Sequence, residues 1–243
     1  MYKLSKSKLI NQSLLSNILF RFLNQLSTQR INYHYDGTLP TDLPCVTSTA
    51  KRFLDVVGAL VGLTITAILY IPIAVAIYLD DPGPIFFSQT RVGLHGRTFR
   101  IWKFRSMIKD AERQKHLIKN EANGYIFKNE NDPRITKVGH FLRRTSIDEF
   151  PQFINVLRGE MSLVGTRPPT LDEVEKYSPY HWRRLHVKPG LTGEWQVNGR
   201  SEIKDFEKIV ALDIRYQNKW SVVYDLKLIL MTVLAMFTKK GAC

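Results

Sequence analysis

The 243 residues carry 35 Lys/Arg against 22 Asp/Glu, a formal net charge of +13, and 44% of them are hydrophobic. That length suits one domain with a proper core plus appendages, and the hydrophobic share is too low for a chain that crosses a membrane many times. Cys45 and Cys243 lie far apart, and the six histidines follow no ligand spacing, which argues for unpaired thiols in a reducing compartment and against a zinc site.

Residues 1–48 form an extension. Leu14, Leu15, Ile18, Leu19, Phe22 and Leu23 fall on one helical face, which suits a helix lying on a membrane or one docking on a protein surface. From Asn32 to Ser48 the turn-rich YDGTLPTDLP stretch is a linker.

Val56 to Leu79 is an uninterrupted apolar run without a charged residue. As one helix it would be about 36 Å long, against a hydrocarbon core of about 30 Å. Pro72 interrupts this, since it lacks the N–H a helix needs and clashes with the preceding turn. Basic residues flank the run on both sides, Lys51 and Arg52 before it and Arg91 and Arg97 after it, where a true span would put one basic flank outside. The pattern predicts a re-entrant hairpin that breaks at Pro72 and keeps both flanks on one face. After the run, 28 Lys/Arg face 19 Asp/Glu, a surplus that beside a membrane segment favours lipid headgroups and phosphorylated substrates.

Asp80 to Pro84 (DDPGP) is a strong breaker. Ile85 to Gln89 predicts a strand, VGLHGR a turn, and Thr98 to Phe104 a second strand. Such a hairpin would bring Arg100, Lys103 and Arg105 together, either as an anion-binding face or as a solvated one. Residues 109–131 are polar and suit a helix followed by an irregular loop.

The densest chemistry lies in NDPRITKVGHFLRRTSIDEFPQFINVLRGEMSLVGTRPP. Val138, Phe141 and Leu142 predict a helix ending at Arg143–Arg144. A second helix is predicted to start near Ser146, with Phe150, Phe153, Ile154 and Leu157 on its apolar face and Gly159 as C-cap. Asp148 and Glu149 then occupy its first turn. Ser146 with Glu149 three residues on is a capping-box pattern, so these acids have a purely structural reading. Their company supports a second one: Arg143, Arg144 and the proline-locked Arg167 (TRPP) surround the pair. Adjacent carboxylates flanked by arginines are what a phosphate-handling site with a divalent cation requires.

Further on, VKPGLTGEWQVNGR is a Gly/Pro-rich loop carrying Asn198 and Arg200. Glu202 to Tyr216 predicts an amphipathic helix. Leu226 to Phe237, with Trp220 and Tyr224 before it and Lys239–Lys240 behind it, fits either an interfacial helix or a core helix.

Five blocks in order, KRFLDVV, DDPGPIFFSQTRVG, FRIWKFRSM, DPRITKVGHFLRRTSIDEFPQFINVLRGEMSLVGTRPP and VKPGLTGEWQVNGR, resemble the bacterial sugar transferases, the monotopic polyprenyl-phosphate phosphoglycosyl transferases. The resemblance covers roughly three quarters of the chain. It implies a helix-rich α/β domain on the cytoplasmic face of the bacterial plasma membrane, with an N-terminal re-entrant membrane helix hairpin (residues 49–81), a catalytic domain (82–243) and C-terminal interfacial amphipathic helices. It implies transfer of a phosphosugar from a nucleotide diphosphate sugar, UDP-linked, to polyprenyl (undecaprenyl) phosphate, releasing the nucleoside monophosphate, as the first membrane step of exopolysaccharide, capsule or glycan synthesis. The aspartate of an Asp-Glu pair, here Asp148–Glu149, would carry the phosphosugar covalently, with Mg²⁺ held by both acids. Arg167, then Lys103, Arg105 and Arg200, are the phosphate-binding candidates, with Asn198 beside them and Pro168 fixing the turn that aims Arg167. Ile71 precedes Pro72 where many relatives have serine, which leaves Thr64 and Thr66 to satisfy the backbone at the break. Thr166 stands where proline is common. The implied partners are the nucleotide sugar, polyprenyl phosphate and membrane lipids; no nucleic-acid module is present, and homo-oligomerisation is left open. The alternative is a catalytically inactive membrane scaffold of the same fold.

Overall fold

The structure, a computed structural model, describes residues 43–199 and 203–238. The amphipathic pattern at Leu14–Leu23 and the candidate Arg200 lie outside them. After a single turn at Pro44–Thr47 comes a helix of 32 residues, α1 (Thr49–Asp80). A hairpin follows, β1 (Phe86–Val92) and β2 (Thr98–Phe104), then α2 (Lys137–Arg144), α3 (Phe153–Arg158) and two short strands, β3 (Ser162–Val164) and β4 (Gly190–Thr192). The chain closes with α4 (Phe206–Lys219) and α5 (Val222–Thr238).

Ser48 starts α1 by accepting the Lys51 backbone N–H on its hydroxyl (3.2 Å). The helix then runs through Pro72 without interruption, so the two limbs expected from the sequence are parts of one helix. Thr64 and Thr66 donate to the carbonyls of Leu60 and Gly62, one turn or more before the carbonyl that Pro72 leaves unbonded. They do not repair the proline's missing bond.

One face of α1 is buried and the other is a sheath of exposed apolar side chains, among them Phe53, Leu60, Ile68, Ile71, Val75 and Leu79. The buried face depends on small residues: a Cβ on Gly62 would lie 2.4 Å from the Phe153 ring, so only glycine allows the helix to approach α3 this closely.

Both ends of α1 are tied to the same body. At the start, Lys51 Nζ donates to Asp225 Oδ2 (2.6 Å), the Val164 carbonyl (3.0 Å) and the Tyr216 hydroxyl (3.0 Å). Arg52 holds the carbonyls of Val156 and Leu157, and Asp55 accepts from the Ser162 hydroxyl and the Leu163 N–H. At the far end, Ile77 packs with Phe104 and Leu142, Tyr70 stacks on Phe86, and Asp80 Oδ2 accepts the Val138 N–H (2.8 Å) in the first turn of α2.

The hairpin is antiparallel with Phe86 opposite Phe104 and Val92 opposite Thr98. It turns at Gly93–Gly96, where His95 (φ 54°) and Gly96 (φ 76°) take left-handed backbone. Strand alternation sends Phe87, Gln89, Arg91 and Lys103 to one face and Arg100 to the other. The cluster of Arg100, Lys103 and Arg105 expected from the sequence is therefore split. Arg100 bonds Ser88 on the exposed side, and Arg105 is buried in a pair with Asp81 (3.0 Å) at the end of α1.

β3 and β4 pair in parallel. Behind them α4 puts Phe206, Ile209, Val210, Ile214 and Tyr216 into the core, so the amphipathic helix predicted there turns its apolar face to the protein interior. The adjoining α5 buries Asp225 and Leu228 and exposes Val223, Leu226, Leu230, Val233 and Leu234.

Candidate active site

The segment between α2 and α3 makes the site. Thr136 caps α2 by accepting the Gly139 N–H (3.0 Å), and the helix ends at Arg143–Arg144 as the apolar spacing predicts. Ser146 then takes left-handed backbone (φ 56°) and makes no side-chain capping bond. The capping box read from the sequence is not formed. A tight 3₁₀ turn, Ile147–Gln152, carries Asp148 and Glu149 before α3 begins, and Gly159 (φ 79°) closes α3 as predicted. A non-glycine residue held at positive φ beside two acids is the kind of strain that functional sites store.

Asp148 is buried, with 4% of its surface exposed, on the wall of a cavity of about 380 Å³. Lys103 reaches across from β2: its Nζ lies 2.8 Å from Glu149 Oε1 and 3.9 Å from Asp148 Oδ2. Arg143 lines the same cavity, with Nε donating to the Ser106 hydroxyl (2.9 Å). Burial pulls its guanidinium below the ordinary range, with Asp148 and Asp132 opposing.

Arg167 enters from the turn after β3. Its Nη1 bonds both oxygens of Glu173 (2.9 and 3.1 Å); burial works against its charge, but Glu173 outweighs that and raises its pKa. Pro168 sets that turn, and its carbonyl accepts from Arg91 Nη1 (3.0 Å) while Gln89 holds Nη2 (2.7 Å). Burial, then the neighbouring charge of Arg167, pushes the Arg91 guanidinium down to about 10. Six basic residues line the cavity (Arg91, Lys103, Lys128, Arg134, Arg143, Arg167) against three acidic ones (Asp132, Asp148, Glu149), so it is built for an anion.

Asp148, Glu149, Lys103, Arg167 and Pro168 thus meet around one cavity. Arg105 does not line it, and Asn198 is exposed with its amide on the Glu194 carbonyl (2.7 Å), also away from it. Arg91 was a missed candidate. Its signal was strand alternation, which places it on the same hairpin face as Lys103. Among the described residues no three acidic, histidine or cysteine side chains gather as a metal cage. The adjacent Asp148 and Glu149 nevertheless fit Mg²⁺, which uses one or two carboxylates and completes its shell with water and phosphate oxygens.

The sequence profile of the bacterial sugar transferases matches residues 46–239. The chain belongs to that family. Among relatives, a Streptococcus agalactiae protein named galactosyl transferase CpsE is 55% identical over 195 residues, 79% of this chain and 43% of that protein. The Escherichia coli UDP-glucose:undecaprenyl-phosphate glucose-1-phosphate transferase is 42% identical over 233 residues, 93% of this chain and 47% of that one. The sugar transferase chain spans about half the length of these two. A shorter relative, the exopolysaccharide production protein ExoY of Rhizobium meliloti, is 37% identical and covered to 88% of its length.

Proposed function

We propose that this sugar transferase moves a sugar 1-phosphate from a UDP-sugar to undecaprenyl phosphate, the step that would start an exopolysaccharide or capsule repeat. The observation that carries the reading is the buried Asp148 with the half-buried Glu149 beside it, both facing Lys103 in a cation-lined cavity, on a body tied to both ends of an apolar helix. The names of the relatives support the substrate classes.

A carboxylate oxygen of Asp148 attacks the sugar-bearing phosphorus. The new O–P bond forms as the bond from that phosphorus to the bridging oxygen breaks, and the nucleoside monophosphate leaves with the bridging oxygen and its electron pair. Arg91, Arg143 and Arg167 hold the phosphate oxygens while charge moves onto the leaving group. An oxygen of the lipid phosphate then attacks the same phosphorus, and Asp148 departs as a carboxylate. Handling the two anions in turn avoids bringing both charges into the cavity at once. Lys103 positions Glu149 and lowers the cost of ionised carboxylates in a buried place. Asp148 and Glu149 would hold Mg²⁺, which when bound neutralises charge on the transferred phosphoryl group.

The anchoring follows from α1 and α5. A helix whose first turn bonds Asp225 and whose last turn bonds Val138 is held at both ends by one body, which supports a membrane helix lodged in one leaflet over one that crosses the bilayer. The exposed apolar side chains of α5 suit an interfacial helix beside it. The basic flanks of the apolar run support a body on the cytoplasmic face.

Asp148→Asn should lower release of nucleoside monophosphate by at least about 10³-fold and abolish labelling of the protein by nucleotide radiolabelled in its sugar phosphate. Retained labelling would remove Asp148 from the nucleophile's role. Chelation should stop turnover and added Mg²⁺ restore it; activity in excess chelator counts against the metal. Cysteines placed at 50 and 85 should react from the same side of a sealed vesicle, and reaction from opposite sides means a span.

A further inference from the structure

A second cavity, of about 400 Å³, lies against the first. Arg91, Lys103, Arg134, Arg143 and Arg167 line both, so a cationic partition separates them. The far ends differ in what they adjoin. The first cavity ends among Trp195, Gln196 and Ile203, in the Gly/Pro-rich loop region. The second begins at Pro84, Phe86 and Phe87, the residues that directly follow the end of α1.

That apolar end is continuous with the membrane helix. The Phe86 ring stacks between Tyr70 of α1 (centroids 5.7 Å apart) and Phe104 of β2 (5.4 Å). Phe86 and Phe87 are still 39% and 37% exposed, and Tyr78 and Leu79 on the last turns of α1 are exposed too. A cavity with hydrocarbon-like walls at one end and arginines at the other complements an amphiphile with an anionic head. A nucleotide sugar has no such tail.

We propose that the second cavity is the entry site of the lipid acceptor: its phosphate rests on the shared arginines and Lys103, and the first part of its chain runs over Phe86 and Phe87 toward α1. This rests on the transferase reading above. The two substrates then use one phosphate partition in turn from opposite directions, the nucleotide leaving by the first cavity before the lipid phosphate takes its place. Phe87 becomes a determinant of acceptor binding that acts through its apolar surface.

The test separates the two halves of the reaction. Phe87→Ser should raise the KM for long-chain polyprenyl phosphate at least tenfold, and Phe87→Leu should restore it to within threefold of the parent. For the nucleotide sugar, which has no such tail and uses the first cavity, Phe87→Ser and the parent should have KM values within twofold. An unchanged long-chain KM in Phe87→Ser overturns the proposal. A measurement on the unmodified protein guards against a variant that fails to fold: polyprenyl phosphate carrying a photoreactive group in its first isoprene unit should label the peptide holding Pro84–Gln89. Label on the peptide holding Trp195 and Gln196 instead would put the acceptor in the first cavity. Should the unmodified protein transfer nothing to polyprenyl phosphate, the transferase reading itself fails.

Discussion

The buried charged residues of this fold are built to two different plans. Around the start of α1, Lys51 is matched by Asp225, and Asp225 also accepts from Tyr216 (2.9 Å) and Trp220 (3.0 Å). Nearby, Arg184 is matched by Asp213 at 2.7 Å, with Tyr177 on a second nitrogen. In these knots each cation has its acid, and nothing is left for a ligand. Of the residues lining the cavity beside Asp148, cations outnumber acids two to one, and burial holds the Arg91 and Arg143 guanidiniums below their ordinary range. Burial of charge is costly either way. The paired knots spend that cost on fixing how helices meet, and the unbalanced cavity leaves it to be offset by an incoming phosphate.

Breaking the closed plan should have the larger effect on stability. Lys51→Met leaves Asp225 buried without its cation and should cost about 3–5 kcal/mol, read as a lowered denaturation midpoint in detergent. Adding Asp225→Leu should recover much of that loss. If the double variant is as unstable as the single one, the pair is not the reason for the loss.

In the open plan a cation is worth more to the reaction than to the fold. Arg91→Gln should lower kcat/KM for the nucleotide sugar about 10- to 100-fold, the worth of a charge-assisted hydrogen bond to phosphate. Its denaturation midpoint should stay near the parent's. A large drop in stability with unchanged kinetics would make Arg91 part of a closed knot after all.

The smallest effect is a matter of pH. Burial, opposed by the charge of Lys51, pushes the Cys45 thiol up to about 11 from its ordinary 9.0. The folded state thus keeps a proton that the unfolded state gives up, so this contribution to stability is complete below pH 9 and is lost as pH rises toward 11. At pH 8.5 the native protein should alkylate at Cys45 roughly 10²-fold more slowly than the denatured chain. Equal rates would show that the knot is open to solvent.

Much of this was legible in the chain. The apolar run at 56–79, the hairpin, the helix ending at Arg144 and the Gly159 cap follow from local pattern, because periodicity and left-handed glycine are properties of a few adjacent residues. The pairing of Asp148 with Glu149 and the nearness of Arg167 were visible as motif. Other points depended on contacts between distant residues. Ser146 and Glu149 match a capping box in spacing, but the backbone at Ser146 turns left-handed and the bond is never made.

What the sequence determined by itself was the inventory: one membrane-seeking helix, a basic body, and two acids with arginines near them. Tertiary structure decided how the charges were divided. It sent Arg105 to Asp81 and Lys103 to Glu149 although both leave the end of the same strand, and it drew Arg91 in beside Arg167 from 76 residues away. It also bonded both ends of α1 to one body. The physical reason is that a buried charge is stable only where the whole fold supplies its partner, and no local pattern states which partner that is.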